Sequence, residues 1–187
     1  AILFFGVTWI PGYFEHEFDL KLTAIGWFTT MPWAFSIVGM ALMGTLSDRL
    51  FSASGDIRRA RIHPTWILQL LAAAAFIPLA SVTSSDWAIV WLTLGIGFSM
   101  SANGLYYSIC TDLFPKSAGA ATGIIVTFFS ASGVLTPFLI GWLTDATASF
   151  DTAFLMLSGI VGSGALGLLL FARPKSSNAA APNTRIT

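Results

Sequence analysis

Charge is scarce in this chain. Asp, Glu, Lys and Arg make up 10% of its 187 residues against 55% hydrophobic ones, where a soluble domain carries about 25% charged residues. That scarcity excludes an ordinary water-soluble domain and points to a chain dissolved in lipid. Nine basic residues balance nine acidic ones, and no single-sign patch extends beyond one loop. A nucleic-acid footprint, which needs a basic face, is excluded with it. Cysteine is almost missing: Cys110 stands alone, so no internal disulfide forms, and no Cys/His cluster has metal-ligand spacing. No metal or cofactor is expected. The start has no charged region followed by a cleavage site and does not read as a signal peptide.

What is present is apolar and continuous. Six segments run over 1–14, 22–46, 64–82, 87–111, 118–143 and 152–172, none containing Asp, Glu, Lys, Arg or His. All but the first have about the 17 to 25 residues of a tilted spanning helix. Their apolarity is unbroken rather than alternating, which favours helices over barrel strands. The first segment would give only about 21 Å of helix at about 1.5 Å per residue, short of a hydrocarbon core of about 30 Å. It is expected to be the later part of a truncated first helix. The expected fold is an all-α membrane protein with six transmembrane helices over 1–172 and a disordered cytoplasmic tail over 173–187.

Orientation follows from 44–63, GTLSDRLFSASGDIRRARIH, which holds Arg49, Arg58, Arg59 and Arg61. Such basic loops stay on the cytoplasmic side. With that loop inside, the alternation of six spans puts Lys116, Arg173, Lys175 and Arg185 inside as well and leaves only Lys21 outside. Both ends of the chain are then expected in the cytoplasm, in a cell inner membrane.

Gly44-Thr45-Leu46-Ser47-Asp48 has a counterpart 97 residues later in Gly141-Trp142-Leu143-Thr144-Asp145. At the same offset Ala24, Gly26, Thr30, Ala34 and Leu42 match Ala121, Gly123, Thr127, Ala131 and Leu139. The first copy ends inside and the second outside, so the expectation is a 3+3 inverted repeat, the build of each six-helix half of a major-facilitator transporter. Chance identity within a small apolar alphabet is the competing explanation.

At these residues the chain resembles the C-terminal half of a major facilitator superfamily transporter, a twelve-helix fold. GTLSDRLFSASGDIRR is similar to the second copy of that superfamily's cytoplasmic signature, Gly-x-Leu-(Ala/Ser)-Asp-Arg followed by basic residues. The resemblance implies a gating motif of Gly44, Asp48, Arg49, Arg58 and Arg59. In it Gly44 lets helices approach, and Asp48 with Arg49 joins a charge network that steadies the outward-open state. The plainer alternative is that Asp48 caps a helix and the arginines only set topology.

A narrower resemblance is to the anion:cation symporter family of sugar-acid and aromatic-acid transporters. It rests on Trp9, Pro11 and Tyr13 at the end of the first segment, on Asn103-Gly104-Leu105 and Phe114-Pro115-Lys116, and on 118–123 with Thr136-Pro137 and Gly141. Two departures stand out: Val126 and Thr127 where many members carry Asn, and Ala148 where Gly is common.

Substrate sites in this architecture lie near the bilayer midplane. Asn103, Tyr106 and Tyr107, at spacings of three and four, share one helical face, and Tyr can bond an oxyanion while its ring packs on carbon. Tyr106 and Tyr107 bonding backbone, or marking the interface, is the structural alternative. Thr127 and Ser130 are further candidates, although Ser and Thr also serve helix packing. Trp9 joins them on the resemblance alone. Gly95, Gly97, Gly104, Gly159, Gly162, Gly164 and Gly167 are expected as close-packing surfaces, with a hinge role as the alternative.

No apolar segment holds an ionisable group, so the coupling carboxylate and any arginine that binds a substrate anion are expected in the N-terminal half. The expected function is proton-coupled uptake of an organic anion by alternating access, with the lipid bilayer, protons and that N-terminal half as partners. Efflux of drugs or metabolites is the alternative. An intramembrane enzyme built on Ser130-Ala131-Ser132-Gly133 is remote, because no span offers a general base.

Overall fold

The computed structural model describes residues 1–171, and helices account for nearly all of them. Seven α-helices follow in order: α1 Ile2–Phe18, α2 Leu22–Ser54, α3 His63–Phe76, α4 Ser85–Ser101, α5 Asn103–Leu113, α6 Ala118–Thr147 and α7 Asp151–Phe171. A π-helical turn, Arg58–Ile62, leads into α3 and a 3-10 turn, Pro78–Ser81, closes it. Five helical stretches are long and apolar enough to cross a membrane; α1, with 17 residues, is shorter. Ala172 and the expected tail over 173–187 lie outside the described residues.

Several helices outrun the apolar segments. The polar stretch from Gly44 to Ser54 is the end of α2 rather than a loop. No Gly or Pro interrupts it, and the hydroxyls of Thr45, Ser52 and Ser54 bond back to carbonyls of their own helix. The chain turns only at Gly55, with φ 62°, a left-handed conformation that suits glycine. At 33 residues, α2 is about 50 Å long and projects past a hydrocarbon core of about 30 Å.

The fourth apolar segment is broken. Ser101 Oγ donates to the Gly97 carbonyl at 2.7 Å, and Leu105 N–H bonds the Ala102 carbonyl at a spacing of three rather than four. Back-bonding serines bend helices, and Gly104 just beyond weakens helix re-formation. The break at Ala102 separates α4 from α5 and sets Asn103 at the start of the second piece.

Small residues bring the helices together. Gly97 receives the Phe35 ring and Gly39 receives Ser101, pressing α2 on α4. Phe76 of α3 lies over Gly95 of α4, and Phe4 of α1 over Gly133 of α6. Ser158 Oγ of α7 donates to the Ala73 carbonyl of α3 at 2.8 Å. Phe5, Tyr13, Phe76 and Phe154 interlock at the centre, Tyr13 and Phe154 edge to face at 5.0 Å. Within this bundle Gly159, Gly164 and Gly167 do not serve close approach, since a β-carbon at any of them would meet nothing within 4 Å among the described residues.

Helix α6 ends on Ala148, whose φ of 51° is left-handed. A β-carbon there costs about 1–2 kcal/mol. Ala148→Gly is therefore expected to stabilise the bundle by about 1 kcal/mol, read as a raised midpoint of thermal unfolding in detergent; an unchanged or lowered midpoint contradicts it.

Candidate functional site

Two polar regions stand out in the bundle. The first is where the C-terminal part of α2 meets the end of α5, and it is organised by Arg61. The π turn brings this side chain inward until 7% of it is exposed. Its Nη1 donates to Asp48 Oδ1 at 2.6 Å and Ser47 Oγ at 2.8 Å, and its Nε donates to Asp112 Oδ2 at 3.0 Å. The Phe51 ring stacks on the guanidinium, 5.2 Å from its carbon. Ser47 Oγ in turn donates to the Ala60 carbonyl at 2.6 Å. One arginine thus ties α2, the π turn and α5 together.

This arrangement adds to one expectation and corrects another. Among the described residues Arg49 and Arg58 are exposed and form no ion pair, while Arg59 meets only Asp56 at the surface, at 3.4 Å. Within this bundle Asp48 is met by Arg61, which also holds Asp112. The spanning helices also carry charge after all, since Arg61 and Asp112 fall within the helical stretches Arg58–Ser81 and Ser85–Leu113. Gly44 has nothing within 4 Å, so it makes no helix approach inside this bundle.

The second region is a groove of about 490 Å³ between α3, α4–α5, α6 and α7, with Ala1, Ile2 and Leu3 along one side. Asn103, Tyr106 and Tyr107 come together there. They are joined by Gln69 of α3 and Ser99 of α4, which the reading of the sequence missed. Ser99 Oγ donates to Gln69 Oε1 at 3.4 Å, and Gln69 and Tyr106 line the groove together. Ile124, Phe128, Phe129 and Ile160 supply apolar wall. The groove therefore has the size of a small-molecule site, largely apolar with a few convergent polar groups. Its polar side chains are all uncharged.

Thr127 and Ser130 do not line this groove. Ile124, Ile125, Phe128 and Phe129 form the face of α6 that does; Thr127 and Ser130 are exposed on another face, and the Thr127 hydroxyl is spent on the Gly123 carbonyl at 2.9 Å. Trp9 is elsewhere too. Its ring meets Phe150 at 6.0 Å and lies against Gly141, and its indole N–H is buried without a partner among the described residues.

The signal for Gln69 was in the sequence. It is the one carboxamide in the apolar run 64–82, and a polar group of that kind inside a membrane needs a partner. Attention to ionisable residues alone passed over it.

The family model described as Major Facilitator Superfamily matches residues 1–137. A probable sulfoacetate transporter of Cupriavidus necator is 33% identical over 166 residues, 87% of this chain and 38% of the relative. The hexuronate transporter of Bacillus subtilis is 25% identical over 178 residues, 92% of this chain and 42% of the relative. A probable galactarate/D-glucarate transporter of Bacillus subtilis is 26% identical over 175 residues, 93% of this chain and 38% of the relative. The chain spans about two fifths of the length of these curated relatives.

The charge cluster generates an ordering. Asp112 is 20% exposed and Asp48 69%. Removing one partner from a buried ion pair costs about 3–5 kcal/mol, whereas an exposed pair is worth about 0–1 kcal/mol. Asp112→Asn is expected to lower thermal stability in detergent by about 3 kcal/mol and Asp48→Asn by about 1 kcal/mol or less. Equal losses would contradict the assignment of Asp112 as the principal counter-charge.

Proposed function

The chain belongs to the major facilitator superfamily, and from that membership we propose that it is the C-terminal six-helix half of a secondary transporter that imports an organic anion with protons by alternating access. It is a multi-pass membrane protein, here proposed for the inner membrane with Arg58 on the cytoplasmic side and Asp145 outside. The observation that carries the reading is the groove with Asn103, Tyr106 and Tyr107, set in a chain whose relatives are named as transporters of sulfoacetate, hexuronate and galactarate/D-glucarate. Those are small oxygen-rich acids, and uncharged donors on an apolar wall suit their hydroxyls and oxyanions.

Two features support the inverted repeat. Thr30 and Thr127, matched at the offset of 97, make the same bond to the matched glycines: Thr30 Oγ1 to the Gly26 carbonyl at 2.8 Å and Thr127 Oγ1 to the Gly123 carbonyl at 2.9 Å. Part of the packing also follows the exchange of one triplet for the other. It turns the contact of α2 with α4–α5 into that of α6 with α1, and it maps the contact of α3 with α7 onto itself; these contacts are present, while the broad contact of α3 with α4 has no counterpart of like extent between α7 and α1.

In this reading Gly44, Asp48, Arg49, Arg58 and Arg59 face the other half of the carrier at the cytoplasmic gate, with Arg61 and Asp112 behind them as a fixed brace. The groove carries no Asp, Glu, Lys, Arg or His side chain, so proton coupling and charge neutralisation of the anion fall to the N-terminal half. Thr127 and Ser130, exposed on the open side of α6, remain candidates for contacts across the passage between the halves, and Trp9 for one nearer the outside.

Uptake tests the proposal. Cells producing the full-length carrier are expected to accumulate labelled sulfoacetate, glucuronate or galactarate, and a protonophore is expected to abolish accumulation. No uptake of any of the three, with export of structurally unrelated compounds, would favour efflux and overturn the reading. For topology, cysteines placed at Arg58 and Asp145 are expected to label from opposite sides of the membrane; labelling from one side overturns the inverted repeat.

Tyr107 supplies the residue-level prediction. It is 36% exposed in the groove. Tyr107→Ala is expected to raise KM about tenfold with unchanged abundance in the membrane, and unaltered uptake removes it from the site.

A further inference from the structure

We propose that the end of the bundle opposite Arg61 holds a site for a hard divalent cation, Ca²⁺ in the first instance, built from Glu17, Asp151 and the Tyr13 hydroxyl. These residues line a pocket of about 290 Å³ where the end of α1 meets the start of α7 and the turn after α3, which adds Thr83. In the topology proposed above this is the outside face.

The floor of the pocket points to a ligand. Tyr13 is 3% exposed, and its ring is clamped edge to face by Phe18, Phe150 and Phe154 at 5.0 to 5.6 Å. Its hydroxyl takes no hydrogen bond among the described residues, yet it is not sealed in, since Trp9 Nε1 is the only fully enclosed side-chain nitrogen or oxygen left unpaired there. The hydroxyl therefore opens on the pocket that Tyr13 lines, an oxygen held in place with no protein partner. A polar group so placed needs a partner from solution.

The rim supplies charge. Glu17 meets only His16, at 3.4 Å, and Asp151 forms no ion pair among the described residues. The outside segments carry Glu15, Glu17, Asp19, Asp86, Asp145 and Asp151 against Lys21 alone, and no basic side chain lines the pocket. The brace at the other end shows what such a set takes up: Asp48, Asp112 and the Ser47 hydroxyl close around the Arg61 guanidinium. Here two carboxylates and a hydroxyl converge with no arginine between them.

A hard cation needs oxygen ligands, not the Cys/His spacing that the sequence lacks. No three of His, Cys, Asp and Glu converge among the described residues, so water completes the shell, and at about 30 Å³ for each water the pocket has room for it. A sparse, hydrated site of this kind belongs with the weak calcium sites of extracellular modules, at a Kd of about 10⁻⁴–10⁻³ M. It favours Ca²⁺ over Mg²⁺, which demands near-ideal octahedral geometry and dehydrates reluctantly. The bound ion ties together α1, α7 and the turn after α3, none of which the Arg61 brace reaches.

The experiment reads binding and needs no transport, so its failure and that of the proposed function are distinguishable. Full-length carrier in detergent is titrated with calcium chloride while thermal unfolding is followed, with choline chloride at matched ionic strength as the control for screening. At about ten times Kd, Ca²⁺ is expected to raise the midpoint by about 2–4 °C beyond choline. Equilibrium dialysis with radiolabelled calcium is expected to show about tenfold weaker binding in Glu17→Gln or Asp151→Asn and loss of the site in the double variant. Tyr13→Phe, which keeps the ring packing, is expected to bind about threefold more weakly. Asp86→Asn, an acid of the same face that does not line the pocket, is expected to bind as wild type.

A midpoint that moves no more with Ca²⁺ than with choline overturns the proposal. So does a double variant that keeps the site, or Tyr13→Phe binding as tightly as wild type. Asp86→Asn weakening binding as much as Glu17→Gln also overturns it, because that result marks diffuse attraction to an acidic face. If Asp151→Asn fails to fold, Glu17→Gln and Tyr13→Phe decide: wild-type affinity in either one overturns the site.

Discussion

Hydrocarbon offers a backbone no partners, so each spanning segment has to satisfy its own N–H and C=O groups, and helices are the solution this chain adopts throughout. The same solvent removes the usual reason for helices to associate. Lipid tails are as apolar as leucine, and burying one against another yields little. What remains is shape. Gly97 under Phe35, Gly95 under Phe76 and Gly133 under Phe4 let ring faces lie directly on a neighbouring backbone, and these fits hold α2, α3 and α1 to their partners. Where such fits are absent the side chains look outward: Ile37 on α2 is 72% exposed and Val134 on α6 75%. Outward apolar faces this large belong against lipid or a second body, which makes α2 and α6 the flanks of the bundle around a core to which α1, α3, α4 and one face of α7 contribute.

Hydropathy made the existence of the spans legible and misjudged their ends, for one reason. It reports where a helix is comfortable in lipid, and a helix stops only where the backbone meets a breaker. The polar run after Gly44 contains none until Gly55, so α2 continues into water. The reverse error occurs at Ala102, where the apolar run continues and the helix does not. Nothing in hydropathy separates Ser101-Ala102-Asn103-Gly104 from its surroundings; the back-bond of Ser101 and the glycine do.

The charge cluster was half legible. Asp48 was expected at a helix end, whereas α2 runs on to Ser54, and Arg61, the arginine that meets Asp48 within the bundle, was not among the residues named for the network. Four arginines crowd the region, and their order in the chain says nothing of which one turns inward. That choice is made by the π turn Arg58–Ile62. Its wider coil shifts the register of the residues that follow, and Arg61 rather than Arg58 or Arg59 arrives over Asp48 and Asp112. Asp112 lay one residue beyond the assigned end of its span, at 111. With its side chain largely buried beside Arg61, Asp112 requires its partner.

The candidate site divides along a chemical line that the sequence did contain. Serine and threonine in a helix can bond the carbonyl one turn back, and here Thr29, Thr30, Ser36, Ser101, Thr127 and Thr144 all do. A hydroxyl that satisfies itself in this way carries almost no information about what lies beside it, which is why Thr127 and Ser130 were weak evidence for a groove on their side of α6. The carboxamide of Gln69 and the phenol of Tyr106 sit too far along their side chains for that escape. They have to find partners on another helix or in a ligand: Gln69 accepts from Ser99 of α4, and both side chains line the one groove. Ranking intramembrane polar residues by whether they can satisfy themselves, rather than by whether they are charged, would have brought Gln69 to the same groove as Tyr106 from the sequence alone.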